Sequence, residues 1–111
     1  MANRISYTIV FEKYFKRYAK KYRSLSNDIK ELESILLENP KLGIDLGNGL
    51  FKIRLAVKSK NKGKSGGFRV ITYLLTENAG DSNITLLILN DKSDIEDIPK
   101  SDLLDLIDSV L

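Results

Sequence analysis

The most constraining feature of the sequence is the stretch at residues 84–89, Ile-Thr-Leu-Leu-Ile-Leu, in which every residue but one is apolar. A strand on a sheet with one solvated face alternates apolar and polar residues, whereas a strand covered on both faces is apolar nearly throughout. We therefore predict that residues 84–89 form a central strand with packed layers over both faces.

Three other segments have the composition of strands. Residues 6–10 are β-branched and aromatic, and residues 67–75 show the same character around Arg69. Residues 51–57 alternate apolar and basic side chains as far as Ala56, which predicts one packed face and one face carrying Lys52 and Arg54. Residues 42–49 are predicted to be a loop, and residues 58–67, composed of Lys, Ser, Asn and Gly, a mobile connection.

Three helices complete the predicted fold. Aromatic residues recur at helical spacing and predict a helix over about residues 12–22 with an apolar face. They are Phe11, Phe15, Tyr18 and Tyr22. Ser26 and Asn27 are candidate N-caps of a second helix, which ends near Asn39 because Pro40 disfavours a helical residue before it. The short turn between these helices predicts an antiparallel hairpin, and Pro99 suits the first turn of a last helix.

The resulting order, β-α-α-β-β-β-α, is an α+β fold with an antiparallel-rich sheet, an N-terminal helical hairpin and a C-terminal helix. The 111 residues show no linker or internal repeat, which predicts one domain over residues 1–111. No apolar run approaches the roughly 20 residues of a membrane span. The N-terminus lacks the apolar segment of a signal peptide, so we expect a cytoplasmic protein with no membrane partner.

The chain contains neither cysteine nor histidine. Disulfides, thiolate nucleophiles and cysteine-based zinc sites are therefore excluded, as are the catalytic triads that need an imidazole base. An all-carboxylate metal site remains open at this point.

Basic residues are concentrated in the middle of the chain. Residues 50–75 contain seven basic residues and no acidic one, whereas residues 76–111 contain two basic and nine acidic residues. The seven are Lys52, Arg54, Lys58, Lys60, Lys62, Lys64 and Arg69. This polarity favours a polyanionic partner, and the alternative is a solvated face. If the last three strands are neighbours, Arg54, Arg69 and Lys92 converge on one face, with the lysines of the connection over its edge. The basic residues of helix 12–22 could extend this surface for a polyanion.

The triplet Gly63-Lys64-Ser65 does not make a nucleotide-binding P-loop. Lys58 stands where that pattern begins with glycine. A strand rather than a helix follows, so no helix N-terminus would face the phosphates.

Three motifs carry a resemblance to a known family. They are Lys-Ile-Arg-Leu-Ala at residues 52–56, Gly-Lys-Ser-Gly-Gly-Phe-Arg-Val-Ile at residues 63–71 and Asp-Lys-Ser at residues 91–93. With the element order, they resemble the RelE/HigB-type toxins of bacterial type II toxin–antitoxin modules over about residues 5–110. The resemblance implies an mRNA interferase that enters the ribosomal A site and cuts translated mRNA. It also implies a small antitoxin, often a helix-turn-helix protein encoded next door, that masks the basic face.

The same resemblance implies roles for individual residues. Arg69 contacts the scissile phosphate, with Arg54 beside it in the same role, and Lys64 contacts phosphate or transfers a proton. Lys92 is a second candidate for proton transfer. The further RNA-binding candidates are Lys52, Lys58, Lys60, Lys62 and Asn90. Because RNA supplies its own 2′-hydroxyl nucleophile, the implied reaction needs no divalent metal and no cofactor. In the alternative interpretation, Lys92 neutralises neighbouring aspartates and Arg54 pairs with a carboxylate of the sheet.

Asn90 occupies a position at which several relatives carry a tyrosine. Its amide can hydrogen-bond a base, but it neither stacks on one nor transfers a proton. Tyr73 is a candidate substitute, although alternation along its strand leaves its face open. Asn90 therefore favours an alternative function, a toxin-like binding module without RNA cleavage, either directed at DNA gyrase as ParE-type relatives are or degenerate.

Overall fold

The computed structural model describes residues 3–60, 67–76, 80–91 and 98–110. In chain order, the helices and strands are β1 (Asn3–Tyr7), α1 (Ile9–Ala19), α2 (Leu25–Glu38), β2 (Ile44–Gly47), β3 (Leu50–Leu55), β4 (Phe68–Thr76), β5 (Ser82–Asp91) and α3 (Lys100–Val110). The strands form one sheet in the order β1-β5-β4-β3-β2. β1 is parallel to β5, and all other neighbours are antiparallel. The α+β architecture is as predicted.

The predicted central strand is β5, which lies between β1 and β4. Its Ile84, Leu86 and Leu89 belong to a core formed with α1 and α2. Its Leu87 belongs to a second core, formed with Leu103 and neighbouring residues of α3. Both faces of the sheet are therefore covered along β5, which confirms the interpretation of the apolar run.

A β-bulge interrupts the pairing of β4 with β5. Ile71 pairs with Ile88 and Thr72 pairs with Leu86, which leaves Leu87 as an extra residue on β5. An extra residue shifts the alternation of side chains by one position. Beyond the bulge, the residues of β5 therefore face the opposite sides to those that simple alternation would give.

The first strand ends, and the first helix begins, earlier than the predicted ranges 6–10 and 12–22. Thr8 is the N-cap of α1, and its hydroxyl accepts a hydrogen bond of 2.9 Å from the Phe11 N–H. The same hydroxyl donates to the Leu87 carbonyl oxygen over 2.7 Å. Because the Thr8 hydroxyl accepts a hydrogen bond from a backbone N–H of the first turn, β1 ends at Tyr7 and α1 begins at Ile9.

The N-cap of α2 is Ser24 rather than the predicted Ser26 or Asn27. The helix begins earlier because Leu25 is fully buried in the core and its first turn carries that side chain inward. The Ser24 hydroxyl donates a 2.7 Å hydrogen bond to the carboxylate of Asp28, which is itself buried. The two helices form the predicted hairpin layer on one face of the sheet.

The prediction of a loop over residues 42–49 is wrong for β2, an edge strand that pairs with β3. The residues that indicate a loop are those that make the hairpin turn. Gly47, Asn48 and Gly49 all have positive φ, at 86°, 57° and 81°. Glycine and asparagine tolerate this conformation. The residues that make the tight turn therefore give this segment the composition of a loop, although it contains a short strand.

The prediction of a mobile connection is also wrong at its start, because Lys58–Lys60 forms a 3-10 helix. The Ser59 N–H donates to the Ser24 hydroxyl over 2.8 Å, and the Lys58 N–H donates to the Asp28 carboxylate over 3.2 Å. At the other end of the chain, α3 follows Pro99 as predicted. No helix in the described ranges has the length and apolar character needed to cross a membrane.

Candidate functional site

A row of polar side chains crosses three adjacent strands on the face of the sheet that α3 partly covers. Arg54 on β3 is the direct partner of Arg69 on β4, and Arg69 is the direct partner of Asn90 on β5. Direct partners in an antiparallel pair point to the same face of the sheet. The structure thus brings together two of the three groups expected to converge, and the third, Lys92, lies outside the described residues.

Asn90 reaches this face because of the bulge at Leu87. Before the bulge, Ile84 and Leu86 face the core formed with α1 and α2. Uninterrupted alternation along β5 would point Asn90 to the same side. With the extra residue, Ile88 packs on the core of α3 and Asn90 joins the polar row. Asn90 is only 2% exposed, so this buried amide is fixed next to Arg69.

The row borders a cleft of about 250 Å³ between the sheet and the start of α3. Its polar lining residues are Lys52, Arg69, Asn90 and Lys100. The cleft exists because α3 covers one part of the face, through Leu103 and its neighbours, and leaves the end that carries the arginines uncovered.

The cleft is positively charged. Its described lining residues include three cationic side chains and no acidic one. Arg54, the cross-strand partner of Arg69, is not among the residues that line this cleft, and it lines a separate groove that also includes Asp28 and Glu31. Guanidinium groups bind phosphate through two parallel hydrogen bonds, and lysines add a point charge. Within the described residues, no group of three acidic side chains could hold a metal ion. The arrangement is suited to a phosphate-bearing ligand.

Side chains that pack on the opposite face of the sheet, beneath α1 and α2, hold the strand ends that carry the polar row. Phe68 and Asp91, the neighbouring cross-strand pair, are almost fully buried. The Phe68 ring meets Tyr18 and Tyr22 edge-on, with centroids 4.9 and 5.4 Å apart. The Tyr22 hydroxyl donates to the Asp91 carboxylate over 3.4 Å. The aromatic side chains predicted for the first helix are therefore core residues that position β4 and β5.

Of the predicted lysines of the connection, the structure locates the side chain of Lys58. The Lys58 ammonium lies 3.3 Å from a carboxylate oxygen of Glu31 on α2 and so points to the hairpin layer rather than to the cleft. Both partners are largely exposed, which makes this a weak ion pair. Lys60 ends the 3-10 helix. Lys62 and Lys64 lie outside the described residues.

The basic face of α1 lies on the opposite side of the sheet from the polar row. Lys13, Lys16, Arg17 and Lys20 line a shallow surface on this helix. Because α1 packs on the hairpin face, its basic residues do not extend the track of Arg69. A polyanion in the cleft would have to pass round the molecule to contact them.

The structure differs from the predicted site at two further residues, Tyr73 and Lys100. Tyr73 packs in the core of α3, on the same face as Arg69 but four residues along β4, about 13 Å away at the usual rise of a strand. It is not among the cleft-lining residues. Lys100, which is not among the site residues predicted from the sequence, does line the cleft. A signal was present, because a lysine at the first residue of a helix opposes the helix dipole.

Comparisons with known proteins agree on this architecture. A solved structure of the E. coli toxin RelE, an arginine-to-alanine double mutant in the free state, superposes with a TM-score of 0.61 at 15% identity and covers 100% of both chains. At this identity, the likeness shows a shared fold. The model of the family described as the RelE toxin of the RelE/RelB toxin–antitoxin system matches residues 4–107. The chain therefore belongs to the RelE family of toxins from toxin–antitoxin systems.

Proposed function

We propose that this toxin is a metal-independent, ribosome-dependent mRNA endoribonuclease that inhibits translation, with residues 1–111 as its single domain. The observation that carries the proposal is the row of Arg54, Arg69 and Asn90 at the edge of a cationic cleft. Like charges on directly opposed residues of a sheet destabilise it. A phosphodiester bound beside the two arginines would offset their repulsion.

The chemistry needs little from the protein besides charge and positioning. The 2′-hydroxyl of the RNA attacks the adjacent phosphorus, the bond to the 5′-oxygen breaks, and the products are a 2′,3′-cyclic phosphate and a 5′-hydroxyl. The hydroxyl proton leaves to a base, and the departing oxygen gains a proton. Arg69 and Arg54 would stabilise the added negative charge on the phosphorane oxygens, the effect that contributes most in such sites.

Proton transfer in this protein falls to groups other than histidine, since the chain has none. The resemblance to the family assigns this role to Lys64 or Lys92. Lys52, which lines the cleft, would bind the RNA backbone. The buried amide of Asn90 would hydrogen-bond a base edge, because it offers both a donor and an acceptor.

The proposed partners follow from the same chemistry. Translated mRNA on the ribosome is the substrate, in the cytoplasm. A cognate antitoxin would mask the cationic cleft. We expect this antitoxin to contain a helix-turn-helix and to be encoded by the neighbouring gene. A short helix-turn-helix gene that overlaps or directly follows this one would support this part of the proposal.

The test is primer extension on cellular mRNA after brief induction of the toxin. We expect in-frame cuts in a reporter transcript and their loss when its start codon is removed. Arg69→Ala should abolish the cuts, and Lys30→Ala, which removes an exposed charge from α2, should leave them unchanged. Growth arrest with intact transcripts would reject the proposed activity.

One observation favours a second candidate, a toxin-like module that binds its target without cutting RNA. Asn90 stands where several relatives carry a tyrosine, and its amide is neither a proton donor of useful pKa nor a stacking surface. This candidate predicts growth arrest with intact mRNA. Induction of the SOS response would then indicate DNA gyrase as the target, and no growth effect would indicate a degenerate toxin.

A further inference from the structure

Lys100 stands where its charge is unfavourable for the helix that carries it. It is the first residue of α3, an 11-residue helix. The N-terminus of a helix has a partial positive charge of about half a unit, so acidic side chains are preferred there and cations are disfavoured. Asp102 in the same turn follows this preference, and Lys100 does not. The helix itself therefore offers no electrostatic reason for a lysine at this position.

The side chain of Lys100 reaches from α3 to the end of β2. A Cβ atom added to Gly47 would lie only 2.8 Å from the Lys100 ammonium nitrogen, so the bare glycine provides the space that the ammonium occupies. The Gly47 N–H also donates to the Asp45 carboxylate over 2.7 Å, which fixes this glycine at the turn. The ammonium therefore lies against the turn at the end of β2, at the wall of the cleft.

Lys100 lines the same cleft as Lys52 and Arg69, so the cations come from α3, β3 and β4. Charges that converge from three separate elements favour a compact anion between them over a flat apolar ligand. We propose that Lys100 is a substrate-binding residue that contacts an RNA phosphate in this cleft. The inference rests on the proposed function for its choice of RNA as the ligand.

The test measures the binding of an RNA oligonucleotide to the free toxin by fluorescence anisotropy at several salt concentrations. The oligonucleotide carries 2′-O-methyl groups, so it cannot be cut. Lys100→Ala should weaken binding about tenfold, as expected for one lost charge-assisted contact. It should also reduce the slope of log K against log salt by about 0.7, the value for one phosphate of a single strand. Lys100→Arg, which keeps the charge, should restore the slope.

The matched control is Lys30→Ala, which changes the net charge equally on an exposed site of the other layer. It should leave the salt slope unchanged. Thermal unfolding separates binding from structure, because Lys100→Ala should melt at or above the temperature of the natural protein once the unfavourable helix charge is gone. A wild-type slope in Lys100→Ala, or no binding of the oligonucleotide by the natural protein, would overturn the inference.

The inference and the proposed activity fail in different ways. If the natural protein binds the oligonucleotide through Lys100 but leaves mRNA intact in cells, cleavage is wrong and the phosphate contact stands. If mRNA is cut and Lys100→Ala keeps the wild-type salt slope, cleavage stands and the role of Lys100 is wrong.

Discussion

Arg54 and Arg69 are direct cross-strand partners in the β3–β4 ladder, so two guanidinium groups extend from the same face of the sheet on neighbouring strands. Their Cα atoms are about 5 Å apart in such a pair. Like charges on directly opposed residues are destabilising in a sheet, and a phosphate bound between the two guanidinium groups would offset their repulsion. The pair therefore links stability and ligand binding at one position.

The first prediction concerns the coupling of these two arginines. In a double-mutant cycle of Arg54→Gln and Arg69→Gln, we expect an unfavourable coupling of about 0.2–1 kcal/mol in the free energy of unfolding. Urea denaturation at low salt measures it, and the coupling should shrink in 0.5 M salt because exposed charges are screened. A cycle that combines Arg54→Gln with Lys30→Gln should show no coupling. A favourable coupling between the arginines would contradict the prediction.

The second prediction concerns the role of Arg69. Arg69→Ala should relieve growth inhibition and reduce RNA cleavage by about 10²–10³-fold, as for loss of one group that stabilises a developing charge. Arg69→Lys should restore only part of the activity, since lysine cannot form two parallel hydrogen bonds to phosphate. Growth after induction and the melting temperature are measured together. Arg69→Ala should melt close to the natural protein, and killing equal to that of the natural protein would remove Arg69 from the mechanism.

The third prediction concerns the buried carboxylate of Asp28. It accepts hydrogen bonds from the Ser24 hydroxyl and the Lys58 N–H, at 2.7 and 3.2 Å. Asp28→Ala should lower the free energy of unfolding by about 1–3 kcal/mol, because it leaves these donors without their acceptor. Glu31→Ala is the control, since it removes only the exposed ion pair with Lys58 and should cost less than about 1 kcal/mol. Equal losses in the two variants would show that the Asp28 contacts do not stabilise the connection.

The fourth prediction concerns the pH dependence of stability. Partial burial raises the pKa of Glu33 above its ordinary value of 4.5. The folded state therefore disfavours the charged form of Glu33. As the pH rises from below 4.5 through the raised pKa of the folded state, Glu33 ionises and the free energy of unfolding falls. Glu33→Gln should melt higher than the natural protein at pH 7 and like it at pH 3. Calorimetry at the two pH values measures this, and a gain of equal size at both would exclude ionisation as the cause.

The sequence by itself determined the layers of this protein. The apolar stretch of β5 required cover on both faces, and the aromatic spacing of α1 defined the side that packs. These features are local, because a period of two or of 3.6 residues can be identified without knowing the partner. The alternation of Lys52 and Arg54 likewise predicted a basic face on β3.

Element boundaries were less predictable, for identifiable reasons. Thr8 ends β1 because its hydroxyl contacts Leu87, far along the chain. The glycine-rich turn at residues 47–49 has the composition of a loop and yet joins two paired strands. In both places, a contact with another strand decided between conformations that the local residues allow equally.

Only the tertiary structure decided the site. The β3–β4 register makes Arg69 the partner of Arg54, and the extra residue Leu87 turns Asn90 to the same face. Lys100 joins them because α3 folds back over the sheet and Gly47 leaves room for its ammonium. Register, bulge and docking depend on long-range pairing, and a shift of one residue would reverse every side chain beyond it. The local pattern supplied the charges, and the long-range pairing brought Lys52, Arg69 and Lys100 into one cleft.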